Sequence, residues 1–206
     1  MNRLSWWQSA WANNFGLRSV INGERKRLGL PRIDDAWMHL IDQRLPADVP
    51  LKYVQTGAWF LPETEELSPE VEAYLASGDP PVYVGFGSMP RPKARAVLES
   101  LRGRRAIVSG LPAPQGALAV GATPHGKLFP RCSLVIHHGG AGTTHTAARS
   151  GVPQQVVPHA TDQFFWKKRV DALGLGDRAA GQSLAPKLSV SGIERAVELI
   201  EVGSAP

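Results

Sequence analysis

Short apolar runs alternate with amphipathic segments along the chain from about residue 63 onward. The apolar runs predict buried strands at 81–86, 105–109, 117–120, 133–137 and 154–157. The segments between them predict helices at 69–76, 93–101, 143–150 and 162–173, a turn of helix at 126–129 and a last helix at 191–200. Because apolar strands separated by helices form a parallel sheet with both faces covered, the pattern predicts a doubly wound α/β domain.

The first 56 residues do not follow this alternation. Apolar positions recur at helical spacing over residues 4–17 and predict an amphipathic helix with an aromatic face. Its tryptophans are Trp6, Trp7 and Trp11. We expect this face to pack against a protein surface; a helix lying on a membrane is the alternative. Prolines punctuate the stretch that follows, so we expect residues 1–56 to be a linker and the remains of a neighbouring domain, and residues 57–206 to form the α/β domain.

Composition and charge argue against several classes of function for this protein. The 206 residues carry a net charge of +5, a sequence pI near 9.7 and a single cysteine, Cys132. One cysteine excludes an intramolecular disulfide and a cysteine-based zinc site. The basic residues are scattered, which argues against nucleic acid and permits an anionic ligand. No apolar run approaches the roughly 18 residues that a membrane span needs, so we expect a cytoplasmic protein without a membrane span.

The strongest local signal is the segment 137–144, HHGGAGTT, which joins a predicted strand to a predicted helix. Glycines let an anion approach the backbone, and the N–H groups at the start of a helix, capped here by a hydroxyl residue, attract negative charge. The segment therefore predicts a phosphate or diphosphate site. A tight strand-to-helix turn without a ligand is the alternative. The segment matches neither a Walker A loop nor the dinucleotide-binding motif.

Side chains from three strand ends are expected at the same crevice, because the carboxyl ends of parallel strands share one edge of a sheet. His138 could donate a hydrogen bond to a phosphate oxygen, or be a packing residue, and Ser88 follows the first strand. Asp162 and Gln163 follow the last strand and could bind the vicinal hydroxyls of a sugar, although Asp162 alone is typical of a helix cap. A metal site is not expected, since His137 and His138 point to opposite faces and no acidic partner has ligand spacing.

Several separated motifs together resemble the nucleotide-sugar signature of inverting glycosyltransferases related to the UDP-glycosyltransferases. The motifs are the segments 82–88, 124–130, 137–144, 151–153 and 158–166. The chain is most similar to the sterol glucosyltransferase and the glycopeptide or macrolide glycosyltransferase branches. The resemblance implies the C-terminal, Rossmann-like half of a GT-B fold, which binds the nucleotide-sugar donor, preceded by a helical remnant.

The resemblance also implies a role for each matching residue. The diphosphate would be held by Ser88, His138, Gly140, Gly142 and Thr143, the hexose by Asp162 and Gln163, and the nucleoside would be flanked by Ala122, Pro124 and His125. No metal and no cofactor are implied beyond the UDP- or dTDP-hexose co-substrate. The choice between UDP and dTDP stays open, because Ala122 and Thr146 stand where the plant branch has a base-stacking tryptophan and a ribose-binding glutamate.

The resemblance implies that the acceptor pocket and the catalytic base belong to an N-terminal domain, which we do not expect among these 206 residues. We therefore expect the donor half of an enzyme that transfers a hexose to a hydroxyl of a lipophilic acceptor, with no catalytic base among these residues. His39 is not a credible base. The alternatives are a non-catalytic nucleotide-sugar-binding subunit that needs a separate acceptor-domain protein, or a truncated, inactive fragment.

Overall fold

A five-stranded parallel sheet forms the centre of the computed structural model. The strands are β1 Val82–Gly85, β2 Ala106–Ser109, β3 Leu118–Val120, β4 Leu134–His137 and β5 Gln154–Val156. Their spatial order is β3-β2-β1-β4-β5, and all four neighbouring pairs run parallel. The predicted α/β architecture is confirmed. The structure describes residues 22, 25–27, 29, 56, 59, 60, 63–87, 94–160, 162–188 and 192–203.

Helices connect the strands and cover the sheet. They are α1 Pro69–Ala76, α2 Ala94–Ser100, α3 His125–Leu128, α4 Ala141–Ser150, α5 Gln163–Ala172, α6 Arg178–Leu184 and α7 Gly192–Gly203, with 3-10 turns at Phe129–Arg131 and Ala185–Lys187. Each predicted helix after residue 63 is present within a few residues of its predicted bounds. Helix α6 was not predicted. The predicted aromatic helix at 4–17 and its tryptophans lie outside the described residues, as does His39. The boundary at residue 57 stays a prediction.

Local signals fix several helix ends. Helix α1 begins after Ser68, whose hydroxyl accepts a hydrogen bond from the Val71 N–H at 3.3 Å, and Pro69 occupies the first turn. Helix α4 ends at Gly151, which adopts a left-handed φ of +67° that glycine tolerates without strain.

The two faces of the sheet carry separate apolar cores, because successive strand residues point to opposite sides. Tyr83 and Val135 belong to the core that includes Phe129, whereas Val84 and Ile136 belong to the core on the other face. All five side chains are almost fully buried. A buried side chain of this size stabilises the fold by about 1.5–3 kcal/mol, so the central strands are held firmly from both sides. None of the described helices is long and apolar enough to cross a membrane.

The strand order places a topological switch point between β1 and β4. The chain builds outward from β1 through β2 to β3 and then returns to β4 on the other side of β1. In the register of this pair, Gly85 faces His137 at the carboxyl ends of the two strands. Open α/β sheets bind their ligands in the crevice at such a point. The fold therefore places the glycine-rich segment where a ligand site is expected.

Candidate functional site

The loops that follow β1 and β4 meet at the imidazole of His138. Gly87 has a φ of +62°, and a Cβ atom added there would lie 3.1 Å from His138 Cε1. A side chain larger than hydrogen would therefore press on the imidazole. The loops after β1 and β4 therefore approach each other at Gly87 and His138. Ser88, the neighbouring residue predicted to bind diphosphate, lies outside the described residues.

Two glycines after His138 are required by close packing. Gly139 has a φ of +96°, and an added Cβ would lie 2.7 Å from Val156 Cγ1 and 3.0 Å from the Gln163 carbonyl oxygen. At Gly140 an added Cβ would lie 2.7 Å from His138 Nε2. The backbone of this loop is thus pressed between β5, the start of α5 and the imidazole. Glycine is therefore required at position 139, since any other residue there would be strained.

Helix α4 begins at this loop without a side-chain cap. Gly140 is the N-cap residue and no side chain accepts a hydrogen bond from the first turn. The expected hydroxyl cap is wrong: the Thr144 hydroxyl donates to the Gly140 carbonyl at 2.8 Å, alongside the Thr144 N–H at 2.9 Å. The N–H groups of Ala141, Gly142 and Thr143 therefore have no acceptor in the described part of the chain. Such a helix end carries a partial positive charge and attracts anions.

His138 stands beside this helix end. Burial lowers the pKa of its imidazole, while a hydrogen bond with the Gly85 backbone and the nearby Asp162 carboxylate act in the opposite direction. Its Nδ1 atom is shielded from solvent and has no hydrogen-bond partner among the described residues. This ring nitrogen of His138 therefore keeps unused hydrogen-bonding capacity within the described residues.

The loop after β5 brings Asp162 and Gln163 to the same edge. The Asp162 carboxylate does not cap helix α5; instead its Oδ2 atom accepts a hydrogen bond from the Trp166 indole Nε1 at 3.2 Å. Gln163 is 3% exposed, and its Oε1 atom accepts from the His159 N–H at 2.7 Å and the Ala160 N–H at 3.0 Å. The NH₂ group of Gln163 would therefore make any contact with a sugar, because the side-chain carbonyl oxygen already accepts hydrogen bonds from the loop backbone.

The predicted nucleoside-flanking residues lie at the far side of the sheet, after β3. Ala122 and Pro124 line a cavity of about 280 Å³, whose other side is lined by residues at the start of α1. The His125 ring is committed elsewhere: Nε2 is 2.8 Å from the Tyr83 hydroxyl, and the ring stacks on Phe129 at 4.6 Å. Burial lowers the pKa of His125 and raises that of Tyr83 to about 12, so this pair is neutral near pH 7.

The sequence patterns alone assign no individual role to three residues at the site, Trp166, His137 and Gln154. Trp166 was included only as part of a motif, and its contact with Asp162 could have been inferred from their i, i+4 spacing. The sequence patterns place His137 in the glycine-rich segment without a role of its own, and Gln154 at the start of a predicted strand. In β5 the two neighbours Gln154 and Gln155 point to opposite faces, and the buried one, Gln154, needs a buried polar partner. Within the described residues no group of three or more His, Cys, Asp or Glu side chains is arranged to hold a metal ion.

Comparison with known proteins assigns the chain to a protein family. Residues 97–200, just over half of the chain, match the model of the erythromycin biosynthesis protein CIII-like C-terminal domain. The chain belongs to this family. The match covers β4, β5, α4 and the loop that carries His138, whereas β1 and the loop after it precede the matched residues. It confirms the resemblance to the C-terminal half of GT-B glycosyltransferases.

The curated relatives of this family member are glycosyltransferases. A vancomycin aglycone glucosyltransferase of Amycolatopsis orientalis is 43% identical over 190 residues, which are 82% of this chain and 46% of the relative. A sterol 3-beta-glucosyltransferase of Arabidopsis thaliana is 41% identical over 139 residues, covering 60% of this chain and 22% of the relative. The chain therefore spans less than half the length of these relatives.

A solved structure supports the fold assignment. The Streptomyces sp. SF2575 glycosyltransferase SsfS6, complexed with thymidine diphosphate, matches with a TM-score of 0.53 at 27% identity. The match covers 65% of this chain and 45% of that one. The chain thus shares both sequence and architecture with one half of a nucleotide-binding glycosyltransferase.

Proposed function

We propose that this chain supplies the donor-binding half of an inverting glycosyltransferase. It binds a UDP- or dTDP-hexose, and the hexose passes to a hydroxyl group of a lipophilic acceptor. The observation that carries the proposal is the uncapped start of helix α4 beside His138, at the switch point between β1 and β4. A diphosphate offers the negative charge and acceptor oxygens that this helix end lacks.

The diphosphate subsite combines backbone and side-chain donors. The N–H groups of Ala141, Gly142 and Thr143 point out of the first turn of α4, and His138 adds an imidazole next to Gly140. Gly140 and Gly142 keep side chains away from the approaching anion. Ser88 is proposed to complete this subsite from the loop after β1.

The hexose is assigned to Asp162 and Gln163, at the end of the neighbouring strand. A carboxylate and an amide side by side recognise the paired hydroxyls of a sugar. The nucleoside is assigned to the cavity beside Ala122 and Pro124, near His125. The thymidine diphosphate named for SsfS6 supports a dTDP- or UDP-linked donor.

The chemistry assigned to this half is stabilisation of the leaving group. The acceptor oxygen attacks the anomeric carbon, the bond from that carbon to the diphosphate oxygen breaks, and the acceptor proton passes to a base that we do not place among these residues. Charge that develops on the departing diphosphate is stabilised by the α4 helix end and by His138. The vancomycin aglycone and sterol named for the relatives support a bulky, lipophilic acceptor.

Calorimetric titration with UDP, dTDP, UDP-glucose and dTDP-glucose tests the proposal. The wild-type chain is expected to bind at least one of the two nucleotides. The substitution His138→Ala is expected to weaken that binding about tenfold or more, since a hydrogen bond to a charged group is worth roughly 1.5–3 kcal/mol.

Arg95→Ala is the control, because Arg95 is an exposed cation on α2 that pairs with Glu99. Its removal changes the net charge and leaves the switch point intact. Failure of the wild-type chain to bind any of the four ligands would refute the donor-site assignment. Equal binding by wild type and His138→Ala would refute the role of His138 alone.

A further inference from the structure

A buried polar network lies directly beneath the glycine-rich loop. His137, the last residue of β4, is fully buried. Its Nδ1 atom receives a hydrogen bond from the Gly139 N–H at 3.1 Å, and its Nε2 atom lies 3.0 Å from Gln154 Oε1 on β5. Both ring nitrogens are therefore engaged, one with the loop and one with the sheet.

These two partners determine the proton position on the ring. The Gly139 N–H can only donate, so Nδ1 must carry a lone pair. Nε2 then carries the proton and donates to the amide oxygen of Gln154. Burial, opposed by the hydrogen bond to Gln154 and aided by His138 and His125, lowers the pKa of His137 to about 4, so the ring is neutral near pH 7. An imidazolium would place an N–H against the Gly139 N–H and lose that bond.

The network continues from β5 back to the start of α4. Gln154 Nε2 donates to the Thr144 carbonyl at 3.5 Å, and the Thr144 hydroxyl donates to the Gly140 carbonyl at 2.8 Å. The chain of contacts thus links both ends of the loop 138–140 to one buried glutamine. The Gly139 N–H is bonded to His137, and the Gly140 carbonyl is bonded to Thr144.

We propose that His137 is a positioning residue for the donor site: as an acceptor at Nδ1, it fixes the Gly139 peptide and thereby aims the first N–H groups of α4 and the His138 ring at the donor diphosphate. This inference rests on the proposed function. His137 does not touch the donor, because it lies on the core side of the strand end. Its contribution passes through the backbone of the loop.

Two substitutions separate the two hydrogen bonds of His137. The side-chain oxygen of asparagine can take the place of Nδ1 as acceptor from Gly139, but asparagine cannot reach Gln154. The amide nitrogen of glutamine can take the place of Nε2 as donor to Gln154, but glutamine presents no acceptor at the Nδ1 position. Both replacements remove the ring and leave a polar, uncharged side chain. Asparagine is smaller by one methylene and loses more packing, so weaker nucleotide binding by the glutamine variant could not be attributed to lost packing.

The test is titration of each variant with the nucleotide that the wild type binds, together with a thermal melt. We expect both variants to melt at similarly reduced temperatures. His137→Asn should bind the nucleotide within about threefold of wild type, and His137→Gln should bind it about tenfold more weakly, the effect of one hydrogen bond of ordinary strength. Equal affinities for the two variants, or weaker binding by the asparagine variant, would overturn the inference.

A second measurement needs only the folded wild-type protein. Long-range ¹H–¹⁵N correlation spectra of the histidine side chains report which ring nitrogen is protonated. The Nε2–H form of His137 is expected from pH 6 to pH 8, and an Nδ1–H form or an imidazolium would overturn the inference even if both variants fail to fold. Absence of nucleotide binding by the wild type, with the Nε2–H form present, would instead refute the donor site itself.

Discussion

At the scale of single residues, a hydrogen bond from the Trp166 indole orients the Asp162 carboxylate. The indole is 7% exposed, and its N–H donates to Asp162 Oδ2 at 3.2 Å. Trp166→Phe keeps a buried aromatic ring, smaller than the indole, and removes this donor. We expect UDP affinity to stay within about twofold of wild type and the extra affinity for UDP-glucose over UDP to fall about fivefold, as for loss of one ordinary hydrogen bond. Titration with both ligands measures this difference.

Phe165→Leu provides the comparison, because Phe165 packs edge-on against Trp166 at 5.1 Å and has no polar group. This variant loosens the packing of Trp166 without removing its N–H. An equal loss of sugar affinity in both variants would show that packing, rather than the hydrogen bond, matters at this position.

Residue types at the site could be predicted from sequence, and so could the contact of Trp166 with Asp162, but the hydrogen-bond partners of Gln163 could not. His138, Asp162 and Gln163 all lie at the expected sheet edge. The Gln163 carbonyl oxygen, however, is occupied by two backbone N–H groups of its own loop. A side chain with both donor and acceptor atoms can serve the loop and a ligand at once, and only the backbone path after β5 decides how the atoms divide.

At the scale of elements, substitutions of two glycines at the start of α4 are expected to distinguish effects on folding from effects on ligand binding. An alanine Cβ at Gly139 would meet Val156 at 2.7 Å with φ at +96°, whereas one at Gly142 would meet nothing within 4 Å. Gly139→Ala is therefore expected to lower the free energy of unfolding by about 3 kcal/mol, combining backbone strain and overpacking. Gly142→Ala is expected to raise it by up to about 1 kcal/mol, from helix propensity.

The ligand-binding effect of Gly142→Ala has the opposite sign to its stability effect. If the diphosphate approaches the first turn of α4, the added methyl group should weaken UDP binding about tenfold, the loss of roughly one N–H contact. Denaturant unfolding and calorimetry on the same samples measure the two effects. Unchanged UDP affinity in this variant would exclude close approach of the diphosphate to Gly142.

Strands β1, β2 and β4 could be predicted because each one is a short apolar run that is largely buried on both faces of the sheet. The edge strands β3 and β5 are shorter and partly exposed, and β5 begins with two glutamines. Helix α6 could not be predicted, since its sequence RAAGQSL has few apolar positions and a central glycine. Gly181 is there for packing: an added Cβ would lie 2.9 Å from the Gly151 carbonyl oxygen. The close approach of α6 to the end of α4 is a tertiary contact that leaves no periodic pattern in the sequence.

At the scale of the whole molecule, the crevice depends on which strands become neighbours. The rule that parallel strands share a carboxyl edge was enough to bring the loops of β1, β4 and β5 together. The pairing of Gly85 with His137 at the switch point, and the way the loop backbone closes around His138, follow from the full sheet order. Sequence therefore located the site, and packing between elements determined its detailed geometry.

The buried histidine beneath that crevice makes the stability of the whole domain depend on pH. The pKa of His137 is lowered from an ordinary value near 6.5 to about 4 in the folded chain. Between these values the unfolded chain binds more protons, so stability is fully present above pH 6.5 and is lost as the pH falls toward 4. From pH 7 to pH 5, His137 alone should lower the free energy of unfolding by about 2 kcal/mol.

Denaturant unfolding at pH 7, 6 and 5 measures this slope, and His137→Asn is the control because it removes the titrating group. The variant should be less stable than wild type at pH 7 but should lose about 2 kcal/mol less on acidification. Burial also lowers the pKa values of His125, His138 and His145, so a smaller slope of the same sign should persist in the variant. An identical pH dependence in both proteins would contradict a buried neutral His137.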